Sequence, residues 1–264
     1  MARFERVLIT GASSGIGAAL ALELAAQGVT LHLSGRDAGR LAATAEACRA
    51  RGAEVRQAVL DVRDAAAMAD WVGGCGALDL VVANAGISAG AGEKVPETAG
   101  QTRAIFATNL DGMLNTVLPA IELVRGQPVG ADGWRGRIVV VASIAAFVAG
   151  AAAPAYCGSK AAADTWTVAT AVALRRHRVA ITSVCPGYIR TAMTARNRFP
   201  MPGLMDADRA ARIILHGVAA ARIRVVFPWY MGAAARLGAL VPPRLVGAVM
   251  QRLPAKQPLT PAQD

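Results

Sequence analysis

Lysine is nearly missing from this chain: Lys94, Lys160 and Lys256 stand against 25 arginines. Histidine is as rare, and His32, His177 and His216 lie too far apart for a metal-ligand set, which leaves them packing or surface roles and no metal site. Cys48, Cys75, Cys157 and Cys185 form neither a CxxC pair nor a disulfide framework, as expected of a reducing compartment; Cys157 reads as a small buried filler. Charged residues make up only 17% and aromatics 5%, while 54% of the chain is hydrophobic, so disorder is excluded. With 264 residues the chain buries a core without metal or disulfide staples. The uncharged stretch 138–159 has the length of a membrane span, yet Ser143, Gly150, Pro154 and Gly158 break it into a strand, a loop and a helix start. The first apolar run begins at Arg6 and leads straight into a glycine loop; the expectation is no signal peptide and a cytoplasmic location.

The net charge is +10, without any run of five cations; the densest group is Arg175, Arg176 and Arg178. A compositional bias toward Arg, Ala and Gly accounts for this surplus at least as well as a partner does, and no nucleic-acid recognition module accompanies it.

Short apolar runs alternate with alanine-rich stretches of helical character. Strands are expected at 6–10, 30–34, 54–60, 78–83, 137–142, 179–184 and 224–227, and helices at 15–27, 37–51, 64–72, 102–124, 155–176 and 208–221. Most strand runs are apolar throughout, the mark of strands covered on both faces. Asp37, Asp64 and Asp208 stand where capping acids belong. This repetition specifies a doubly wound α/β fold with a parallel sheet and helices on both faces. Residues 1–228 make the catalytic domain, and 229–264 an apolar extension packed on it. The part of that extension at 229–250 is too interrupted to span a membrane; lying on a bilayer surface or covering a subunit interface are its other readings.

Gly11, Ser13, Ser14, Gly15, Ile16 and Gly17 follow the first strand and open the first helix. Glycines there let the backbone approach a pyrophosphate at the positive helix end. The second strand ends in Ser34, Gly35 and Arg36, where an NAD site carries an acid for the ribose 2′-hydroxyl. A guanidinium in place of that carboxylate points to NADP(H); NAD(H), held by Asp37, is the alternative. Asp61 and Val62, and Asn84, Ala85 and Gly86, close later strands on the same sheet edge.

Tyr156 and Lys160, four apart on one expected helix, share a face, and Ser143 ends the strand before them. A phenol near pKa 10 is a poor acid–base at neutral pH. An ammonium about 4 Å away contributes roughly 4 kcal/mol at an effective dielectric of 20, enough to bring the phenol close to 7.

Taken together, these residues resemble the single-domain short-chain dehydrogenase/reductases over about 6–227. The resemblance rests on Thr10–Gly17, Asp61, Asn84–Gly86, Asn109, Ser143, Tyr156/Lys160, Pro186-Gly187 and Thr191. It implies a Rossmann-type, seven-stranded sheet and an NADP(H)-dependent oxidoreductase. In it Tyr156 is the acid–base, Ser143 polarises the substrate oxygen and Lys160 binds the nicotinamide ribose. Asn109 then holds a relay water, and Ile189 and Thr191 contact the carboxamide. The loop 126–136 and the tail after Pro228 depart from the family's minimal core. Phe147, Phe199, Met201 and Met205 are the candidate substrate residues and point to an apolar ketone or aldehyde. The helices at 102–124 and 155–176 resemble those through which members form homodimers or homotetramers. Two rival readings are a catalytically idle NADP(H)-binding regulator and a peripheral membrane or nucleic-acid binder.

Overall fold

All seven apolar runs become strands: β1 (Arg6–Thr10), β2 (Thr30–Gly35), β3 (Glu54–Val59), β4 (Leu80–Ala83), β5 (Gly136–Val141), β6 (Val179–Pro186) and β7 (Arg224–Phe227). The computed structural model describes residues 4–90, 96–197, 199–241 and Pro258. The strands pair in parallel in the order β3-β2-β1-β4-β5-β6-β7. The order reverses between β1 and β4, so their carboxyl ends diverge and leave a crevice there.

Side-chain alternation decides what covers each face. Val7, Ile9, Leu31, Leu33, Val139 and Val141 point one way, onto α1 (Gly15–Leu24), α2 (Ala38–Arg49) and α7 (Ala207–Ala219). Leu8, Val81, Ile138, Val140 and Ile181 point the other way, onto α3 (Ala65–Gly73), α5 (Gly112–Arg125) and α6 (Pro154–Leu174). β5 and β6 are buried throughout, which is why their sequences do not alternate. The edge strand β3 is mostly exposed, with Val55 its one buried residue.

Asp37 and Asp64 cap α2 and α3 as expected, accepting from Arg40 N at 2.9 Å and Ala67 N at 3.0 Å. Asp208 does not cap: it lies in the first turn of α7, and Asp206 takes the cap position. The helix expected at 102–124 is two helices, α4 (Ala99–Phe106) and α5, joined by a π turn at Ala107–Asp111. Hydrophobic periodicity cannot register that extra residue. The extension opens with a short helix, α8 (Trp229–Gly238); from 242 onward it lies outside the described residues apart from Pro258.

Candidate active site

The crevice between β1 and β4 widens into a cleft of about 650 Å³ that runs from the glycine loop to the start of α6. Gly11, Ser13, Ser14, Gly15 and Ile16 line one end, with Arg36, Asp61 and Val62; Asn84, Ala85 and Gly86 form the floor; Ser143, Tyr156, Lys160, Pro186, Gly187, Ile189 and Thr191 line the other end. Gly17 and Asn109 belong to the frame behind it.

The loop is pinned by its neighbours. Ala12 N donates to Ser34 O at 2.9 Å, and Asn84 Nδ2 donates to Thr10 O and Gly11 O at 3.0 and 3.1 Å. Gly15 has φ +57 beside Thr191, and a side chain at Gly17 would strike Gly11 O. These glycines let α1 begin against the cleft. Ser14, the residue before α1, makes no side-chain cap bond, and the first turn carries no acid. Helix N–H groups therefore face the cleft without an internal anion. This donor set suits a dinucleotide pyrophosphate.

At the Arg36 end of the cleft, Asp61 accepts Arg63 at 2.7 and 2.9 Å and lies 3.9 Å from Arg36. Burial opposes its ionisation, but the Arg63 hydrogen bonds and the two guanidiniums prevail and hold the carboxyl below the usual range. Asp37 is occupied: one oxygen caps Arg40 N and the other pairs with Arg40 Nε at 2.8 Å. Arg40 and Arg196, which sequence reasoning missed, also line the cleft. Arg40 was legible as one helical turn beyond Arg36; nothing in the irregular loop marked Arg196.

At the other end Tyr156, Ser143 and Lys160 converge. Lys160 is buried, donates to Val141 O at 2.7 Å, and lies 6.0 Å from the centre of the Tyr156 ring. Gly86 lies between this ammonium and the Asn109 amide: a Cβ there would crowd Asn109 Oδ1 at 3.1 Å, with Lys160 Nζ in ordinary contact at 3.5 Å. The electrostatics differ from the sequence expectation. Burial pushes the Tyr156 phenol up rather than down, with the Ser143 hydrogen bond opposing it, and burial brings Lys160 down to about 8. The expectation assumed an ammonium closer to the phenol and ignored the desolvation of both groups, which exceeds their attraction at this distance.

Asn109 holds the frame. Ile87 N donates to its Oδ1 at 2.8 Å, while its Nδ2 donates to Ile87 O and Ser159 Oγ at 3.0 and 3.1 Å. Both amide hydrogens are thus committed to protein, tying the π turn to α6 and the β4 loop.

The four substrate candidates fall outside the cleft lining. Phe147 lies under the guanidiniums of Arg224 and Arg236, 5.6 and 4.5 Å from its ring centre. Met205 packs on the core and bridges to Ile189. Phe199 meets Tyr188 edge-on at 6.1 Å, and Met201 accepts from Asn197. Among the described residues no cluster of His, Cys, Asp or Glu could hold a metal ion, and no helix is long and apolar enough to cross a membrane.

One further cluster steadies the site. Asp164, buried one turn beyond Lys160 on α6, accepts Ser183 Oγ at 2.6 Å and Arg224 Nε and Nη2 at 2.9 and 2.7 Å. Sequence reasoning missed it because the partners lie 19 and 60 residues away. Asp164→Ala leaves a guanidinium and a hydroxyl without their acceptor; the expected loss is about 3 kcal/mol, read by thermal melting as a fall of roughly 6–10 °C. A fall of only about 1 °C would contradict it.

The chain matches the short chain dehydrogenase family over residues 5–200. It is 34% identical over 255 residues to an uncharacterized oxidoreductase of Myxococcus xanthus, covering 95% of this chain and 98% of that one. A short chain dehydrogenase/reductase from Burkholderia phymatum, solved in complex with NAD, superposes with a TM-score of 0.78 at 25% identity, over 98% of this chain and 100% of that one. A 3-ketoacyl-ACP reductase from Sinorhizobium meliloti gives 0.71 at 27% identity, over 86% and 99%. The chain belongs to the short-chain dehydrogenase/reductase family. It is a nucleotide-binding oxidoreductase that acts on CH–OH and C=O groups with NAD(P).

Proposed function

We propose that the enzyme reduces an apolar ketone or aldehyde with NADPH, and that Tyr156 gives the proton. The observation carrying this reading is the convergence of Ser143, Tyr156 and Lys160 on one end of a cleft whose other end is the glycine loop. When bound, the nicotinamide supplies the hydride that the carbonyl carbon receives. Ser143 hydrogen-bonds the carbonyl oxygen and Tyr156 O–H transfers its proton to it. A phenol pushed up by burial stays protonated at neutral pH, the state needed to protonate an alkoxide. That is the form of the phenol that reduction uses. Lys160, held by Val141 O, anchors the ribose and steadies the charge beside the phenol.

The NADP(H) preference rests on Arg36 and Arg40 lining the adenosine end and on Asp37 being occupied by Arg40. Guanidiniums bind phosphate with paired hydrogen bonds. Arg36→Ser is expected to raise the Kd for NADPH about tenfold and leave NADH within about twofold; titration of both cofactors checks this, and equal effects on the two would refute the assignment. The apolar substrate reading is supported by Ile87, Ile189 and Met193 in the lining and by the Sinorhizobium relative being a 3-ketoacyl-ACP reductase. A homo-oligomer built through α5 and α6 is supported by Leu118 and Val172, 50% and 64% exposed there. Light scattering is expected to give a multiple of 27.1 kDa; a monomer would contradict it.

A further inference from the structure

Charge is distributed very unevenly. Residues 209–264 hold seven arginines, Lys256 and one acid, Asp264, so +7 of the net +10 comes from this last fifth of the chain. In the fold, Arg209 and Arg212 of α7, Arg222 and Arg224 at β7, and Arg236 of α8 line one open groove of about 810 Å³ with His216 and no acid. Arg212 and Arg224 have carboxylate partners; Arg209, Arg222 and Arg236 have none among the described residues.

Beside that groove, α8 presents an apolar face to solvent. Met231, Gly232 and Ala235 turn inward, and the close packing is set by Gly232, where a Cβ would strike Val226. On the opposite side stand Trp229, Ala233 and Leu237, followed by Leu240 in the next turn; Trp229 is 77%, Leu237 67% and Leu240 81% exposed. Exposed apolar residues in such a row need a covering surface. Arg236 flanks the row on the groove side and Tyr230 on the other.

We infer that the α7–β7–α8 face docks on an anionic lipid bilayer, with α8 in the interfacial plane, Trp229, Leu237 and Leu240 inserted among the acyl chains, and Arg209, Arg222 and Arg236 on the headgroup phosphates. A tryptophan, a tyrosine and aliphatic side chains beside uncompensated arginines are the chemistry of an interfacial helix. A second copy fits less well: a two-fold contact sets the same patch against itself and brings these arginines face to face, where like charges repel. The docked face lies next to the cleft. Gly187, which lines the cleft, packs on Pro228 and Met231, and Gly203 packs on Tyr230. Docking therefore sets the reactive end of the cleft close to the lipid, whatever the substrate.

The test is co-sedimentation of the full chain with phosphatidylcholine vesicles and with vesicles that also contain phosphatidylglycerol. Binding is expected only to the anionic vesicles, weakening as salt rises. Leu237→Asp and the pair Arg222→Glu/Arg236→Glu are each expected to lower partitioning about tenfold or more without changing the melting temperature. A blue shift of tryptophan emission on binding is expected for the wild type and absent in Trp229→Phe. No sedimentation with anionic vesicles, or binding that both variants retain, would overturn the inference. So would a self-associated form that Leu237→Asp dissociates in the absence of vesicle binding, which would assign the face to a second copy.

Discussion

Tyr156→Phe is expected to lower kcat for carbonyl reduction by about 10³-fold, within the span that general acid catalysis supplies, while the NADPH Kd stays within about twofold. The substitution removes one hydroxyl and keeps the ring in its partly buried place on α6, so melting is unchanged. Single-turnover kinetics with saturating NADPH separates the two effects. Because burial lifts the phenol above its ordinary value, wild-type reduction is expected to be flat through neutral pH and to fall only on the alkaline side. Lys160, at about 8, loses its charge first, and the phenol proton follows. A variant that keeps more than about a tenth of wild-type turnover would place the proton donor elsewhere.

Lys160→Met is expected to do two opposite things. Turnover falls by about 10² or more, because the cleft loses the cation that steadies developing charge. Stability rises. Burial depresses the folded pKa of Lys160 from 10.5 to about 8, so below pH 8 the chain buries a charge at a cost of up to about 3 kcal/mol. Losing the bond to Val141 O returns about 1 kcal/mol, which leaves a gain near 2 kcal/mol and a melting temperature roughly 4–8 °C higher. Above pH 8 the folded protein releases this proton while the unfolded chain still holds it. The penalty on the wild type therefore fades between pH 8 and 10.5, and the advantage of the variant shrinks with it. Melting curves across that window decide the matter: a variant that melts lower than wild type at neutral pH would show that the ammonium stabilises this fold. The general lesson is that a functional charge can be held at the expense of stability.

The strands were legible because β5, β6 and the inner halves of β1 and β2 are covered on both faces and so read as largely apolar runs, broken at His32 and at Thr182-Ser183. The glycine loop was legible for a related reason: Gly15 and Gly17 sit where backbone geometry and close approach admit little else. Three features stayed hidden. The π turn at Ala107–Asp111 adds one residue inside a helical pattern, and periodicity passes over it. Phe147 ends a single short 3-10 turn and Met205 sits in an irregular connection, where sequence spacing fixes no side-chain direction; one is capped by two guanidiniums and the other packs on the core. The Tyr156 shift depends on burial and on the opposing Ser143 hydrogen bond. Neither quantity is written in a Tyr–Lys spacing of four.

Transfer of deuterium from NADPH labelled at the reactive carbon of the nicotinamide most directly tests whether this cleft carries out carbonyl reduction. The enzyme is incubated with the labelled cofactor and a panel of aliphatic ketones, aldehydes and 3-oxoacyl thioesters, and the products are weighed by mass spectrometry. The expected result is one deuterium on the new alcohol carbon for each NADPH consumed, lost together with consumption in Tyr156→Phe. Cofactor that binds but is never consumed, or a label that never reaches carbon, would contradict it.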